Sequence, residues 1–456
     1  MVCAKDSKGK IMKKILLINP KSHKLNGKNS SRFRLPPWAL CVLASLTPKN
    51  YDVEIVDELL EDIDFNQKVD LVGITGFTAS INRGYEIAAK FKSKGVPVVM
   101  GGLHVSSNPD EALTFADAVV VGEAEMIWEQ VLKDLENNKM KGIYKSNEFH
   151  DMQSLPWPRL DLIKYPEKYT AFQFVQTTRG CPFKCEFCSA TQIWGSKYRK
   201  RPVDEVIEEV KSLDNTKPIF FIDDNIGAIP KYQKELFEKL IPLKIKWSSQ
   251  TGVQSLLREG AIELAAESGC FFYFVGFESP NEEALKHSNK KQNDPKLFKE
   301  IIRKAQKKGI HIHGAFVLGL DYDDENIFKD VNNFIEDAKL DSIQLNILYP
   351  YPGTALRERF IKNNRLTSSD WSNYIFDGVN FIPKNMTQKE LHKGYVWLLK
   401  QNTRFPIIFR RFFRKIKMGQ FYQAFIALVM NLGTRRHYNH VIKNLKKVNP
   451  IKELSY

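Results

Sequence analysis

The feature that most limits how this chain can fold is a rhythm of short apolar runs, each closed by a polar or glycine-bearing loop and parted by stretches of helical spacing. In the first third, strands are expected over 13–21, 53–56, 71–75, 96–100 and 118–121, and helices over 35–46, 81–93 and 125–137. Alternation at this spacing specifies a doubly wound, Rossmann-like parallel α/β sheet with helices on both faces. Ligands of such sheets bind beyond the carboxyl ends of the strands. Those ends are Asn19-Pro20, Thr75-Gly76-Phe77-Thr78, Gly101-Gly102-Leu103-His104 and Gly122-Glu123, and their glycines let backbone approach a large ligand closely.

The rhythm stops over 138–171, where Leu155-Pro156-Trp157-Pro158-Arg159-Leu160-Asp161 and then Pro166 prevent continuous helix and indicate an extended linker. It resumes with strands expected over 172–175, 218–223, 245–250, 271–277, 311–318 and 342–348, and helices over 202–213, 231–240, 260–268, 297–308 and 326–338. Six βα units are too few for an eight-stranded barrel but make a partial (β/α)6 barrel of TIM type, with its active site at the carboxyl edge of the strands. The division expected is 1–140 for the doubly wound domain, 141–171 for the linker, 172–355 for the barrel and 356–456 for a basic helical region. With 456 residues and 43% hydrophobic side chains, each part can bury a core of its own.

Chemistry enters at Gln176-Thr177-Thr178-Arg179-Gly180-Cys181-Pro182-Phe183-Lys184-Cys185-Glu186-Phe187-Cys188. Three of the six cysteines crowd into eight residues, while Cys3, Cys41 and Cys270 are scattered. Crowded thiolates suit zinc or an iron–sulfur cluster, and three ligands leave one metal position open. A zinc loop needs a fourth ligand, and no His or further Cys lies within thirty residues on either side.

The spacing of Cys181, Cys185 and Cys188, the aromatic Phe187, and the apolar strand before them resemble the cluster loop of the radical S-adenosylmethionine (SAM) superfamily. The resemblance implies a [4Fe-4S] cluster whose fourth iron is chelated by SAM, and reductive cleavage of SAM to a 5′-deoxyadenosyl radical. It also assigns barrel edges. Asp223-Asp224-Asn225 resembles the family's segment near the SAM amino group, and carboxylates and an amide suit an ammonium. Glu278-Ser279 resembles the ribose-binding segment, and the run ending in Gly319 the adenine-facing strand, although Tyr322-Asp323-Asp324-Glu325 replaces the usual continuation. Asp323 and Asp324 are expected to cap a helix instead. Tyr349-Pro350-Tyr351-Pro352-Gly353-Thr354 has a form frequent among cobalamin-type members.

The first domain, placed directly before the cysteine loop, resembles the cobalamin-binding domain of B12-dependent radical SAM proteins. That resemblance implies cobalamin contacts at Pro20, Thr75, Thr78, Gly101, Gly102, His104, Gly122 and Glu123. The Asp-x-His-x-x-Gly signature that supplies a histidine to cobalt is absent, and His104 alone reads as a loop hydrogen-bonder. A domain of the same shape that binds nothing is the alternative. The methylthiotransferase branch needs a second cysteine-bound cluster, for which Cys3 and Cys41 alone are available.

The net charge of +15 suggests nucleic acid until it is located: from Leu391 to Lys452 there are fourteen Lys or Arg and no Asp or Glu, so the remainder is nearly neutral. In this tail a closing helix is expected over 357–363, a capping box of Thr387 with Glu390 opens a helix through Lys400, and 405–418 interleaves aromatics with Arg410, Arg411, Arg414, Lys415 and Lys417. Such a segment packs on the barrel with solvated charges, lies on an anionic membrane, or binds an acidic partner. No RNA module accompanies it, and nucleic acid is not expected. Free cysteines and the lack of a signal pattern suggest the cytoplasm, and no run approaches a membrane span, the nearest being 421–432 with Gln423 inside it.

The expectation is therefore a radical SAM enzyme that methylates an unactivated carbon with cobalamin, served by an electron donor such as flavodoxin or ferredoxin and acting on a small-molecule or lipid-like substrate, with peripheral membrane contact through the basic tail. A cobalamin-independent radical SAM oxidoreductase or cyclase competes with it. So does a zinc-stabilised protein that binds RNA or membrane.

Overall fold

A computed structural model describes residues 12–22, 34–170, 173–375 and 378–448. Cys3, the loop residues 23–33, Phe172 at the head of the expected cluster strand, and the tail beyond 448 lie outside the described residues.

The first sheet holds β1 (Lys13–Asn19), β2 (Tyr51–Asp57), β3 (Leu71–Thr75), β4 (Val98–Gly101), β5 (Ala118–Val121) and β6 (Gly142–Lys145) in the order β2-β1-β3-β4-β5-β6. Every neighbouring pair is parallel. The chain reverses direction of growth at β1, which opens a crevice at the carboxyl ends of β1 and β3. One apolar layer packs the helix Trp38–Leu46 and Trp128 on one face, and another packs Tyr85, Phe91 and Met100 on the other.

Three differences from the expected elements have local causes. The first helix begins at Trp38 rather than Leu35, because Pro36 and Pro37 hold the backbone before them out of helical geometry. The loop at Gly101-Gly102 turns at once into the helix Leu103–Ser107, after a glycine at φ +99°. β6 falls inside the expected linker: its four residues alternate between half-buried and exposed, a pattern too short and too polar to announce a strand. The sheet thus extends to Lys145 and the extended connection starts after it.

The second sheet joins β7 (Gln173–Val175), β10 (Ile219–Phe221), β11 (Trp247–Thr251), β12 (Cys270–Glu278), β13 (His311–Leu318) and β14 (Ser342–Ile347), all parallel and in chain order. That is the expected partial barrel. Trp247 is its central filler, with Phe221, Phe237 and Tyr273 packed about its ring at centroid distances of 5.5, 4.8 and 5.7 Å. A two-stranded hairpin that no apolar pattern marks, β8 (Thr178–Arg179) with β9 (Arg199–Lys200), brackets the cysteine loop.

Beyond the barrel run the helices Ala355–Lys362, Gln388–Asn402, Phe405–Lys417 and Phe421–Val448. The capping box forms as expected, with Glu390 N–H donating to Thr387 Oγ1 at 3.1 Å and Thr387 N–H to Glu390 Oε2 at 2.7 Å. The basic helix turns part of its charge inward, leaving Arg410 and Lys417 exposed. Arg414 and Lys415 both reach Asp341 at 3.0 Å, Arg411 donates to Asn402 Oδ1 at 2.7 Å and Asn431 Oδ1 at 2.6 Å, and Arg410 pairs with Glu336. Among the described residues no helix is long and apolar enough to cross a membrane.

Candidate active site

The cysteine loop leaves β8 through Gly180, whose φ is +85°, and a Cβ there would stand 2.5 Å from the carbonyl oxygen of Lys197. Only glycine makes that turn. Cys188 N–H donates to the Cys185 carbonyl at 3.1 Å, which curls the loop. The three thiols converge: Cys181 and Cys188 both feel Cys185, and Cys188 also feels Cys181. Burial pushes all three thiols up, Cys188 to about 12, while the Lys290 ammonium pulls Cys181 and Cys185 the other way. A bound metal must supply the remaining positive charge that deprotonates them.

Among the described residues no three His, Cys, Asp or Glu side chains stand where a single ion could hold them all. A mononuclear zinc loop needs that arrangement, with sulfurs about 2.3 Å from one ion. A cuboidal cluster asks each thiolate to take a different iron, so converging but separate sulfurs fit it.

Two segments brace the loop. Ser288 O accepts from Glu186 N–H at 3.1 Å, Asn289 Nδ2 donates to Lys184 O at 2.6 Å, and Gln292 Nε2 lies 3.6 Å from Cys185 Sγ. From the other side Leu356 N–H donates to Glu186 O at 3.1 Å and Arg359 Nε to the Glu186 carboxylate at 2.6 Å. Sequence reasoning named none of these partners. The polar run from Ser288 to Asn293, following β12, was the available signal.

The residues assigned to SAM separate into two groups. Asp224 opens onto an internal cavity and is pushed up to about 6 by burial and by Asp223. Glu278, at φ +67°, pairs with Lys290, and its charge reaches Cys185. Phe187 packs against the barrel core. Asp223 is instead a latch. Fully buried and pushed up to about 6 by that burial, it accepts from Thr177 Oγ1 at 2.9 Å and from the N–H and hydroxyl of Thr178. Asn225 accepts from Gly252 N–H at 3.0 Å, and Ser279 from Asn281 N–H at 3.1 Å. Both bonds shape strand ends.

Gly319, at φ +92°, donates its N–H to Asp323 Oδ2 at 2.9 Å and lies against Leu391 and Phe381. Asp323 is thus not a helix cap but the tie that closes the turn after β13, and Asp324 alone accepts near the next helix, from Asn326 N–H at 2.9 Å. Burial leaves four polar atoms without partners at the carboxyl ends of β11 and β12: Thr251 Oγ1, Asn293 Oδ1 and both amide atoms of Gln254. Orphans of this kind are costly unless a polar ligand meets them.

The cavity lies between the two domains. It encloses about 290 Å³, within a cleft of about 1290 Å³ counting its open mouth. Of the residues assigned to cobalamin, Thr75, Gly101, Gly102, Gly122 and Glu123 line it. Pro20, Thr78 and His104 do not: Pro20 is buried against Gly84, while His104 is fully buried with Nδ1 3.2 Å from Thr78 Oγ1 and its ring edge on Trp371. A Cβ on Gly102 would stand 2.8 Å from Thr75 Oγ1, so the glycine keeps the floor open. Apolar walls come from Trp38 and Leu43 of the first helix, the exposed Phe77, and Trp194. From the barrel side Gln176, Ile222 and Asp224 face the same space.

A buried charge network fastens the two walls together. Glu123 pairs with Arg199 and lies 3.4 Å from Arg179, which also meets Glu125 at 2.6 Å and lies over the Trp194 ring at 4.9 Å. Burial pushes the Glu125 carboxyl up, but Arg179 holds it below the usual range. Both arginines belong to the hairpin that brackets the cysteine loop, so the loop is tied to the sheet beyond the cavity.

The Radical SAM superfamily model matches residues 175–335, and the B12 binding domain model residues 29–132. Bacteriochlorophyllide d C-12(1)-methyltransferase of Chlorobaculum tepidum is 31% identical over 438 residues, 94% of each chain. The hopanoid C-2 methylase of Rhodopseudomonas palustris is 27% identical over 80% of this chain and 73% of its own. Among solved structures, the radical S-adenosylmethionine methyltransferase TsrM of Kitasatospora setae, with cobalamin and a [4Fe-4S] cluster bound, superposes with a TM-score of 0.62 at 16% identity over 77% of this chain and 75% of that one. At that identity the likeness is one of fold.

Proposed function

Because this chain belongs to the radical SAM superfamily, in the cobalamin-dependent methyltransferase branch with a B12 binding domain ahead of the barrel, we propose that it methylates an unactivated carbon of an amphiphilic small molecule. Its cofactors are a [4Fe-4S] cluster, SAM and cobalamin. When bound, these supply a 5′-deoxyadenosyl radical for hydrogen abstraction and a methyl group for transfer.

The observation that carries the reading is the shared cavity, onto which the carboxyl ends of β3, β4 and β5 of the first sheet and of β7 and β10 of the barrel open. Cys181, Cys185 and Cys188 would hold the cluster, and Lys290 beside them offsets its negative charge. Asp224, lining the cavity, would accept an ammonium, while Gln254 and Asn293 carry amide atoms still without partners. Gly101, Gly102 and Gly122 let a wide planar ring lie on backbone, and Trp38, Leu43 and Trp194 keep water from it. Those apolar walls support an amphiphilic substrate. The named relatives act on bacteriochlorophyllide d and on a hopanoid, which supports the same class. The proposal includes a small one-electron donor protein of the flavodoxin or ferredoxin type, a cytoplasmic location and peripheral membrane contact.

The test is anaerobic reconstitution of the full chain, followed by assay of retained corrinoid and of 5′-deoxyadenosine formed with SAM and a strong reductant. Labelled methyl transfer to bacteriochlorophyllide d and to a hopanoid then probes the substrate class. We expect stoichiometric corrinoid in the wild type, and neither iron nor 5′-deoxyadenosine in Cys188→Ala. A wild type that retains no corrinoid and forms no 5′-deoxyadenosine overturns the proposal.

A further inference from the structure

The helix Phe405–Lys417 is amphipathic, yet it buries two of its cations and exposes its aromatic stripe. Arg411 and Lys415 are buried with Ile408 against the barrel, while Phe405, Phe409 and Phe413, spaced four residues apart and so on one side of the helix, are about half exposed. The next helix, Phe421–Val448, packs beside it and runs back after a short turn at 418–420, which brings Arg435 over the Phe405 ring at 4.1 Å. There too aromatics face outward, with Phe421 69% and Phe425 62% exposed and Leu432 on the same side, while Ala424, Ala427 and Asn431 are buried. A soluble helix ordinarily buries such a stripe.

We infer that this paired apolar ridge docks the enzyme on an anionic lipid bilayer, with the phenylalanines in the headgroup boundary and the outward cations Arg404, Lys417, Arg436 and Lys443 at its rim. The inference deepens the reading above, in which the substrate is amphiphilic, and it alters the expected mode of contact. Of the cations of the helix Phe405–Lys417, Arg410, Arg414 and Lys415 are paired with Glu336 and Asp341 and Arg411 is buried on Asn402 and Asn431, so the aromatic face makes the contact and the outer cations add charge complementarity. A second copy of this chain fits the ridge poorly. From Leu391 to Lys452 there is no Asp or Glu, so pairing two ridges would oppose like charges.

The test is co-sedimentation of the reconstituted full chain with equimolar phosphatidylglycerol and phosphatidylcholine vesicles. The wild type should sediment, and Phe409→Ser/Phe413→Ser/Phe425→Ser should lower the bound fraction at least tenfold with its melting temperature and 5′-deoxyadenosine yield unchanged. Arg436→Glu/Lys443→Glu should release the protein at lower salt. Phe413→Trp should shift its emission to the blue when vesicles are added, a readout that does not depend on the triple variant folding. A wild type that stays in the supernatant, a triple variant that sediments like the wild type, or a dimer that the triple variant dissociates overturns the inference. Loss of SAM cleavage in a wild type that still sediments would instead count against the catalytic reading.

Discussion

The two ends of the barrel handle buried polarity differently. At the amino-terminal end Asp341, fully buried, accepts from Ile312 N–H at 3.0 Å and Gln306 Nε2 at 3.0 Å while meeting Arg414 and Lys415. Its neighbours His311 and His313 hold Ser342 Oγ at 2.6 and 2.7 Å, and burial pushes them down to about 3 and about 4, so they are neutral. At the carboxyl end lie thiols pushed up by burial, a carboxyl opening on a cavity, and the unpartnered Thr251, Gln254 and Asn293. Paired buried charge holds the C-terminal helices to the barrel, where His311 Nδ1 and Arg414 Nε are the atoms left over. At the carboxyl end the thiols and a carboxyl beside a cavity have a ligand still to meet, and a ligand can offset the cost of the atoms left open there.

The comparison breaks most severely at Asp341. Asp341→Ala leaves Lys415 and Arg414 buried beside no carboxylate, and it should lower stability by about 3–5 kcal/mol in denaturant titration while the folded fraction still cleaves SAM. Equal loss of SAM cleavage per folded molecule would show that the two ends are coupled. A smaller effect of opposite sign is expected at the other end. Gln254→Leu removes two orphaned amide atoms and should raise stability by about 1 kcal/mol while weakening SAM binding on the order of tenfold, which is about 1.4 kcal/mol. Both are readable by melting and by equilibrium dialysis, and a variant that loses stability sinks the assignment of those atoms to a ligand.

An effect confined to the pH dependence lies at Asp323, pushed up to about 7 by burial from a usual value of 3.8. Because its folded-state pKa is raised, its contribution to stability is complete below about pH 4 and is lost as pH climbs toward 7. Asp323→Asn, which can still accept from Gly319 and Leu320, should flatten that decline by at most about 1.4 kcal/mol per pH unit. Identical pH profiles for the two proteins would remove Asp323 as its source.

How far the sequence could be read varied with the range of the interaction. Apolar runs announced β1 through β5 and all six barrel strands, because burying a strand needs only its own side chains to alternate or persist. β6 and the β8–β9 hairpin escaped, being short and polar and held by neighbours rather than by a pattern of their own. The cysteine spacing was legible for the same local reason. The Lys290–Glu278 pair and the brace from Arg359 to Glu186, 173 residues apart, were not.

Asp223 shows the limit most plainly. Its type and position at a strand end suited an ammonium ligand, and only the contact with Thr177 and Thr178, forty-six and forty-five residues away, reveals a latch. The basic helix shows it again: composition suggested a charged outer face, and packing on Asp341 turned that face inward. By itself the sequence settled where most of the strands lie along the chain, the thiol triplet and the glycines at strand ends, all of which follow from residues close along the chain. Tertiary structure alone decided which charges are paired, which polar atoms stay open and which face of the last helices meets solvent, because a buried charge is defined by a partner that chain distance does not reveal.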